Sequence, residues 1–169
     1  MNNRRKENLR NNHGYALVEL LFYMSVLAIL ILVVINAMIV MSRAFRETTI
    51  QAELMQGGAM MERLSREVRA SKSITSISNT DLVLSTTDQA GVAKSEEFVL
   101  SGSNINFLEN AVSTGNLNPA SLAVSGLSFT KIITAKGTAV KVSFNVQSVH
   151  DNTNKVVGFY NTVVLRGDY

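Results

Sequence analysis

Residues 20–41 form an uncharged and mostly apolar run, and this run limits the folds open to the chain more than any other feature. It contains 22 residues without a charge, and Ser25 and Asn36 are its strongly polar members. A helix of about 20 apolar residues crosses the hydrocarbon core of a bilayer and satisfies its own backbone hydrogen bonds there. The run therefore predicts a membrane-spanning helix. A fully buried helix of a soluble protein is the alternative interpretation.

The charges that flank this run predict its direction in the membrane. Residues 1–14 carry a net charge of +3, and the rest of the chain is electrically balanced. The basic residues of this segment are Arg4, Arg5, Lys6 and Arg10. Because basic residues beside a span tend to stay in the cytoplasm, we expect a cytoplasmic N terminus and an exported C-terminal part. Arg43 and Arg46 follow the run and weaken this asymmetry.

Two common export signals fit the N terminus poorly. An ordinary secretory signal has an apolar core of about 7–15 residues and ends at a small-residue cleavage site, and this segment has neither feature. The adjacent Arg4 and Arg5 are a weak match to a twin-arginine signal.

The composition argues against several classes of function. The chain has no cysteine and two histidines, which predicts no thiolate or histidine-rich metal site. Residues 73–169 hold six basic and seven acidic side chains, so no basic surface for nucleic acid is predicted there. The sequence contains no phosphate-binding glycine loop and no hydrolase motif, so we expect a non-enzymatic protein without a cofactor. Asp151, Asn152 and Asn154 could supply oxygen ligands to Ca²⁺, but a hairpin turn is the expected reason for these residues.

Glu19 is an unusual residue for its position, because it lies at the start of the apolar run. A carboxylate well inside a bilayer costs roughly 2.5–3.5 kcal/mol on insertion scales, and such residues usually have a partner or a function. The alternative is that Glu19 lies at the level of the lipid headgroups, where this cost is small.

Residues 13–21, with the sequence HGYALVELL, resemble the prepilin signal of the type IV filament superfamily. The resemblance implies that a membrane aspartyl peptidase cuts between Gly14 and Tyr15 on the cytoplasmic side and methylates the new amino group of Tyr15. Glu19 is then the fifth residue of the mature chain, where this family places a glutamate. The implied role of Glu19 is subunit assembly, through a pair with the Tyr15 amine of a neighbouring subunit.

The segment after the apolar run is predicted to continue as an amphipathic helix to about Lys72. Its apolar residues recur at helical spacing: Ile50, Leu54, Met61, Leu64 and Val68. Gly57 and Gly58 interrupt the pattern, and they predict either a bend or a site of close packing.

Residues 73–169 are predicted to form a β-rich head. Strands are expected at residues 82–85, 97–100, 104–108, 127–134, 138–148 and 156–166. Within 138–148, apolar and polar residues alternate, as in a sheet with one buried face. Lys136 with Gly137, and residues 150–154, are expected to form the turns of an antiparallel meander. Residues 115–121, which include Pro119, are expected to form a loop.

The sequence thus predicts an α+β protein in which a long N-terminal helix packs on a small antiparallel sheet. Its expected parts are a basic leader (1–14), a transmembrane and assembly helix (15–41), an amphipathic continuation (42–72) and a head (73–169). The resemblance implies a subunit of a type IV pilus or of a secretion pseudopilus. The absence of the cysteine pair found in many major pilins favours a minor pilin or pseudopilin.

The expected partners are prepilin peptidase, other pilin or pseudopilin subunits, an inner-membrane assembly platform and membrane lipid. The expected location is the cytoplasmic (inner) membrane, with a single pass and an exported head, and afterwards an extracytoplasmic filament. An uncleaved single-pass protein with a ligand-binding head is the alternative. A DNA-uptake component is a third hypothesis, which the charge balance of the head does not favour.

Overall fold

The computed structural model describes residues 12–134 and 137–166, with side chains from Tyr15 onward. Most of the predicted leader, residues 1–11, lies outside the described residues, and so does Lys136 of the predicted turn. The chain forms two compact units, Met1–Glu47 and Thr48–Tyr169.

One α-helix, α1, runs from Asn12 to Ala70. Every residue from position 15 to position 49 is exposed, and the stretch from Tyr15 is apolar enough to cross a membrane. A core helix of a soluble protein would be mostly buried, whereas none of the most apolar stretch of α1 is buried. This exposure favours the membrane-spanning interpretation over the soluble one.

The helix ends at Ala70, two residues before its predicted end near Lys72. The Ser71 hydroxyl donates a hydrogen bond to the carbonyl of Val68 at 2.7 Å, which satisfies a carbonyl of the last turn. The Lys72 amide then donates to the carbonyl of Ser85 at 2.8 Å, so the chain has already left the helix at this position.

In the second unit, residues 48–70 of α1 bury the predicted apolar stripe. Ile50, Leu54, Met61, Leu64 and Val68 are all in its core. The helix continues without a break through Gly57 and Gly58, and the ring of Phe159 packs against Gly57 so closely that a Cβ there would collide with it. Of the two predictions for this glycine pair, the structure shows close packing.

Eight strands form two antiparallel sheets in the second unit. The first sheet contains β1 (Ser73–Ile77), β2 (Asp81–Thr87), β3 (Ala93–Ser101), β4 (Asn104–Glu109) and β5 (Val112–Asn116), in that order. The second sheet contains β6 (Leu122–Thr134), β7 (Gly137–Ser148) and β8 (Val156–Val164), also in that order. The second sheet is the predicted meander, and the strands predicted at 82–85, 97–100 and 104–108 lie within β2, β3 and β4.

Several details of the strand prediction need correction. Gly137, predicted to lie in a turn, is the first residue of β7, and residues 165 and 166 lie beyond the end of β8. Strands β1 and β5 were not predicted, and residues 115 and 116 of the predicted loop belong to β5. Strand β6 begins at Leu122, five residues before the predicted start. A bulge between Ser125 and Ser128, with Gly126 at a φ of 61°, shifts the register of β6 and breaks its alternation.

The apolar faces of both sheets meet the stripe of α1 in one core. In β7, Val140, Val142, Phe144 and Val146 are buried, as their alternation predicts. The second sheet is also joined to the β3–β4 turn of the first, because the amide of Val124 in β6 donates to the carbonyl of Ser103 at 2.9 Å. The predicted α+β layout, a long N-terminal helix and an antiparallel sheet head, is confirmed.

Candidate functional site

The peptide bond between Gly14 and Tyr15 lies near the start of α1. Gly14 is the third residue of the helix, and the side chain of Tyr15 is 79% exposed. Because glycine has no Cβ, its backbone can extend in a protease cleft more easily than that of any other residue.

Glu19 lies on α1 one turn after Tyr15, and its carboxylate has a partner within the same helix. The hydroxyl of Tyr23 donates a hydrogen bond to Oε1 of Glu19 at 2.9 Å. Residues four apart lie on the same side of a helix, which brings the two side chains together. The sequence singled out Glu19 and missed Tyr23, although the spacing of four residues was a signal that could have identified it.

The surroundings of Glu19 and Tyr23 are apolar and exposed. Leu20, Leu21 and Phe22 are each about 60% exposed, although they are among the most apolar residues of the chain. The edge of the Phe22 ring meets the Tyr23 ring, with 6.4 Å between their centroids. A helix that is apolar on every side requires lipid or other helices around it.

Two arginines follow the apolar run on the same helix. Arg43 and Arg46 are exposed, and they line a shallow groove together with Met38, Ile39 and Ser42. Guanidinium groups form bidentate hydrogen bonds with phosphates and carboxylates, so this groove suits an anionic group at the end of an apolar segment.

A polar cluster, buried at Glu53 and Ser148 and exposed at His150, joins α1 to the end of β7 in the second unit. Glu53 is 9% exposed, and Oε2 of its carboxylate accepts a hydrogen bond from the hydroxyl of Ser148. Nδ1 of His150 lies 3.0 Å from Oε1 of Glu53. The sequence did not predict this cluster, because Glu53 and His150 are 97 positions apart and form no motif.

The order of groups in this cluster differs from that of a hydrolase triad. In a triad, a histidine lies between the serine and the acid and takes the proton of the serine hydroxyl. Here the carboxylate of Glu53 lies between Ser148 and the ring of His150, while the backbone amide of His150 donates to the hydroxyl of Ser148 at 3.1 Å. The cluster therefore holds the start of the β7–β8 connection against the helix.

The carboxylate of Asp151 organises the predicted turn between β7 and β8. Its Oδ1 accepts hydrogen bonds from the amide and the hydroxyl of Thr153, at 2.8 and 2.7 Å, and its Oδ2 accepts from the amide of Lys155 at 2.8 Å. The hydrogen bond from the Thr153 hydroxyl is the main reason why the pKa of Asp151 lies below its ordinary value. Both oxygens are thus used within the turn, and no group of acidic or histidine side chains suited to a metal occurs among the described residues.

A cluster of three charged side chains lies on the first sheet. The ammonium of Lys94 contacts the carboxylate of Glu96 at 2.7 Å and that of Glu109 at 3.3 Å. Its hydrogen bond with Glu96 raises the pKa of Lys94 above the ordinary value. Lys94 and Glu96 both lie on β3, and Glu109 lies opposite Glu96 on the paired strand β4. The ammonium of Lys94 thus offsets the repulsion between two carboxylates that face each other.

Comparison with known proteins identifies one segment of the chain. Residues 9–35 match the family described as the prokaryotic N-terminal methylation motif. The match includes Gly14, Tyr15 and Glu19. No curated protein and no solved structure matches the chain. Together with the apolar helix, the matched segment indicates a membrane-anchored protein.

Proposed function

We propose that this chain, whose N-terminal segment is a type IV pilin-like prepilin signal, is a non-enzymatic structural subunit of a type IV pilus or secretion pseudopilus. Prepilin peptidase cuts it after Gly14 and methylates Tyr15, and residues 15–41 then assemble it into a filament. The observation that carries the proposal is the methylation motif at residues 9–35, with Glu19 five residues after Gly14.

Leader removal changes the charge at the start of the helix in a way that suits assembly. It takes away a segment of net charge +3 and leaves an α-amino group on Tyr15, within about one helical turn of Glu19. In a bundle of such helices, the carboxylate of one subunit binds the amino group of its neighbour. The surroundings have a low dielectric constant, so leaving either group unpaired is costly, and the pair sets the axial register.

The exposed apolar surface of α1 supports both stages of this mechanism. Before assembly, residues 15–41 lie in the inner membrane, and lipid covers their side chains. In the filament, the same side chains pack against other subunits. The groove beside Arg43 and Arg46 suits the phosphate of a lipid before assembly.

The head supplies the surface that faces partners outside the membrane. The Ser148 hydroxyl of the head donates a hydrogen bond to the carboxylate of Glu53 on α1, which supports a structural role for both groups. The absence of cysteine favours a minor pilin or a pseudopilin over a major pilus subunit. Its partners would then be other subunits and an inner-membrane assembly platform.

A simple membrane anchor is the second candidate. The hydrogen bond between Tyr23 and Glu19 favours it, because a carboxylate that already has a donor in its own helix is easier to keep in a bilayer. In that case the leader is retained and the head acts alone as a binding domain.

A shearing experiment separates these functions. Cells that express the full chain are sheared, and the sheared filaments and the membranes are assayed for the protein. A filament subunit is found in both fractions, and Glu19→Ala depletes it from the filaments. Glu62→Ala, which removes an exposed carboxylate of the same helix, should leave its distribution unchanged. Retention of all the protein in the membranes with residues 1–14 still attached, in cells that make filaments, would support the simple anchor.

A further inference from the structure

The two carboxylate oxygens of Glu19 differ in their hydrogen bonding. The hydroxyl of Tyr23 donates to Oε1 at 2.9 Å, and Oε2 accepts no hydrogen bond from any residue that the structure describes. Both side chains are exposed on the surface of α1. A second donor from outside the helix can therefore reach Oε2.

Helix geometry determines from which side a second donor can approach the Glu19 carboxylate. Side chains of an α-helix lean toward its N terminus, so Tyr23 reaches back by one turn to meet Glu19. The phenol consequently covers the C-terminal side of the carboxylate, toward the middle of the apolar run. The side toward Tyr15 stays open.

The chemistry of a phenol suits this position in a membrane. A carboxylate among apolar side chains needs a donor, and the neighbours of Glu19, Val18 and Leu20, have none in their side chains. A neutral hydroxyl supplies one without adding a charge. Because the hydroxyl is neutral, the carboxylate keeps its negative charge and can still bind a cation.

We propose that Tyr23 is a positioning residue for Glu19, which fixes the carboxylate through Oε1 and presents Oε2 to the amino group of a neighbouring subunit. This inference rests on the proposed function as a filament subunit. Tyr23 does not contact the amino group itself. It acts by restricting the rotation of the Glu19 side chain before the neighbour arrives.

A tyrosine in this part of a span could also serve only as an aromatic group at the membrane interface. The two roles depend on different atoms. Tyr23→Phe keeps the ring and removes the hydroxyl, so it affects the positioning role and leaves the interfacial one largely intact.

The first test measures the contact itself in the full chain, in lipid bicelles. Tyrosine labelled with ¹³C at Cζ gives separate signals for the four tyrosines of the chain, and the signal lost in Tyr23→Phe belongs to Tyr23. We expect Glu19→Ala to shift the Tyr23 signal and to leave that of Tyr160, in the head, unchanged. An unshifted Tyr23 signal would overturn the proposal.

The second test measures the role of the contact in assembly. We expect Tyr23→Phe to lower the sheared-to-membrane ratio of the protein by roughly threefold to tenfold, as the loss of one side-chain hydrogen bond in a membrane implies. Leader removal and methylation, measured by intact mass, should be unchanged. The matched control is Tyr160→Phe, which removes an exposed hydroxyl from the head and should have no effect.

The outcomes distinguish this inference from the proposed function. A Tyr23→Phe protein that assembles as the wild type does, within twofold, contradicts the positioning role even if the NMR shift is present. A wild-type protein that keeps its leader and never enters filaments contradicts the proposed function, and the inference fails with it.

Discussion

The ring of Phe159 in β8 packs directly on Gly57 of α1. A Cβ atom at Gly57 would lie 2.9 Å from Cζ of this ring and closer still to Cε2, whereas one at Gly58 would be 3.8 Å from its nearest neighbour, Cε1 of the same ring. The Phe159 ring is in turn stacked on Phe144, with 5.8 Å between centroids. Two adjacent glycines of one helix therefore have different roles, and only the first is required for packing.

The difference between these glycines predicts different effects of the same substitution on stability. Both alanine variants gain about 1 kcal/mol of helix propensity. Gly57→Ala must also displace the Phe159 ring, and overpacking of this kind costs about 1–3 kcal/mol. We expect Gly57→Ala to be less stable than Gly58→Ala by about 1–3 kcal/mol in denaturant unfolding of the full chain in detergent micelles.

A double variant provides the control for this prediction. Phe159→Leu removes the ring, so the penalty for Gly57→Ala should be smaller in that background than in the wild type. Equal stabilities of the two single variants would mean that Phe159 does not restrict position 57.

The Glu53 cluster predicts a large effect of removing a single hydroxyl. Ser148 is 1% exposed, and its hydroxyl donates to the buried carboxylate of Glu53. Ser148→Ala leaves that carboxylate with one donor fewer, and an unsatisfied buried polar group costs about 1–3 kcal/mol. We expect a loss of this size in the free energy of unfolding.

Ser143→Ala is the matched control on the same strand. Ser143 is only partly buried, so its substitution should change the stability by less than about 0.5 kcal/mol. If both alanine variants were equally stable, the hydrogen bond between Ser148 and Glu53 would contribute nothing to the fold.

The elements that the sequence predicted are those with a regular apolar pattern. Val140, Val142, Phe144 and Val146 alternate with polar residues, and the helical stripe that contains Leu64 has the spacing of one helix face. In both cases a single local period determines which side chains are buried.

The missed elements have no such pattern. Strands β1, with the sequence SITSI, and β5, with VSTGN, are short and mostly exposed, so pairing with β2 and β4 and not burial makes them strands. In the same way, contacts between distant residues, such as Glu53 with Ser148, depend on the whole fold and leave no local signal. At the N terminus the sequence identified the methylation motif, because this signal lies within one short segment, residues 9–35.

The Asp151 turn predicts how the stability of the second unit depends on pH. The pKa of Asp151 is lowered in the folded protein, chiefly by the hydrogen bond from the Thr153 hydroxyl. A carboxyl whose pKa is lowered by folding stabilises the folded protein at pH values above 3.8, the pKa of the group in the unfolded chain. This stabilisation is lost as the pH falls through the lower pKa of the folded protein. Acidification should therefore destabilise the wild type more than it destabilises Asp151→Asn.

The measurement is the free energy of unfolding of both proteins between about pH 7 and about pH 2. The wild type should be the more stable at neutral pH, and the difference should shrink below pH 3.8. Glu62→Gln serves as the control, because Glu62 is an exposed carboxylate on the surface of α1. A difference between wild type and Asp151→Asn that does not vary with pH would contradict this account of the turn.

The mature N terminus tests the central claim most directly. The full chain is extracted from membranes of cells with and without a prepilin peptidase, and its intact mass is measured. We predict a chain that begins at Tyr15 and carries one added methyl group, and only when the peptidase is present. A chain that keeps residues 1–14 in its native host would contradict the claim and leave Glu19 as a residue of a simple membrane anchor.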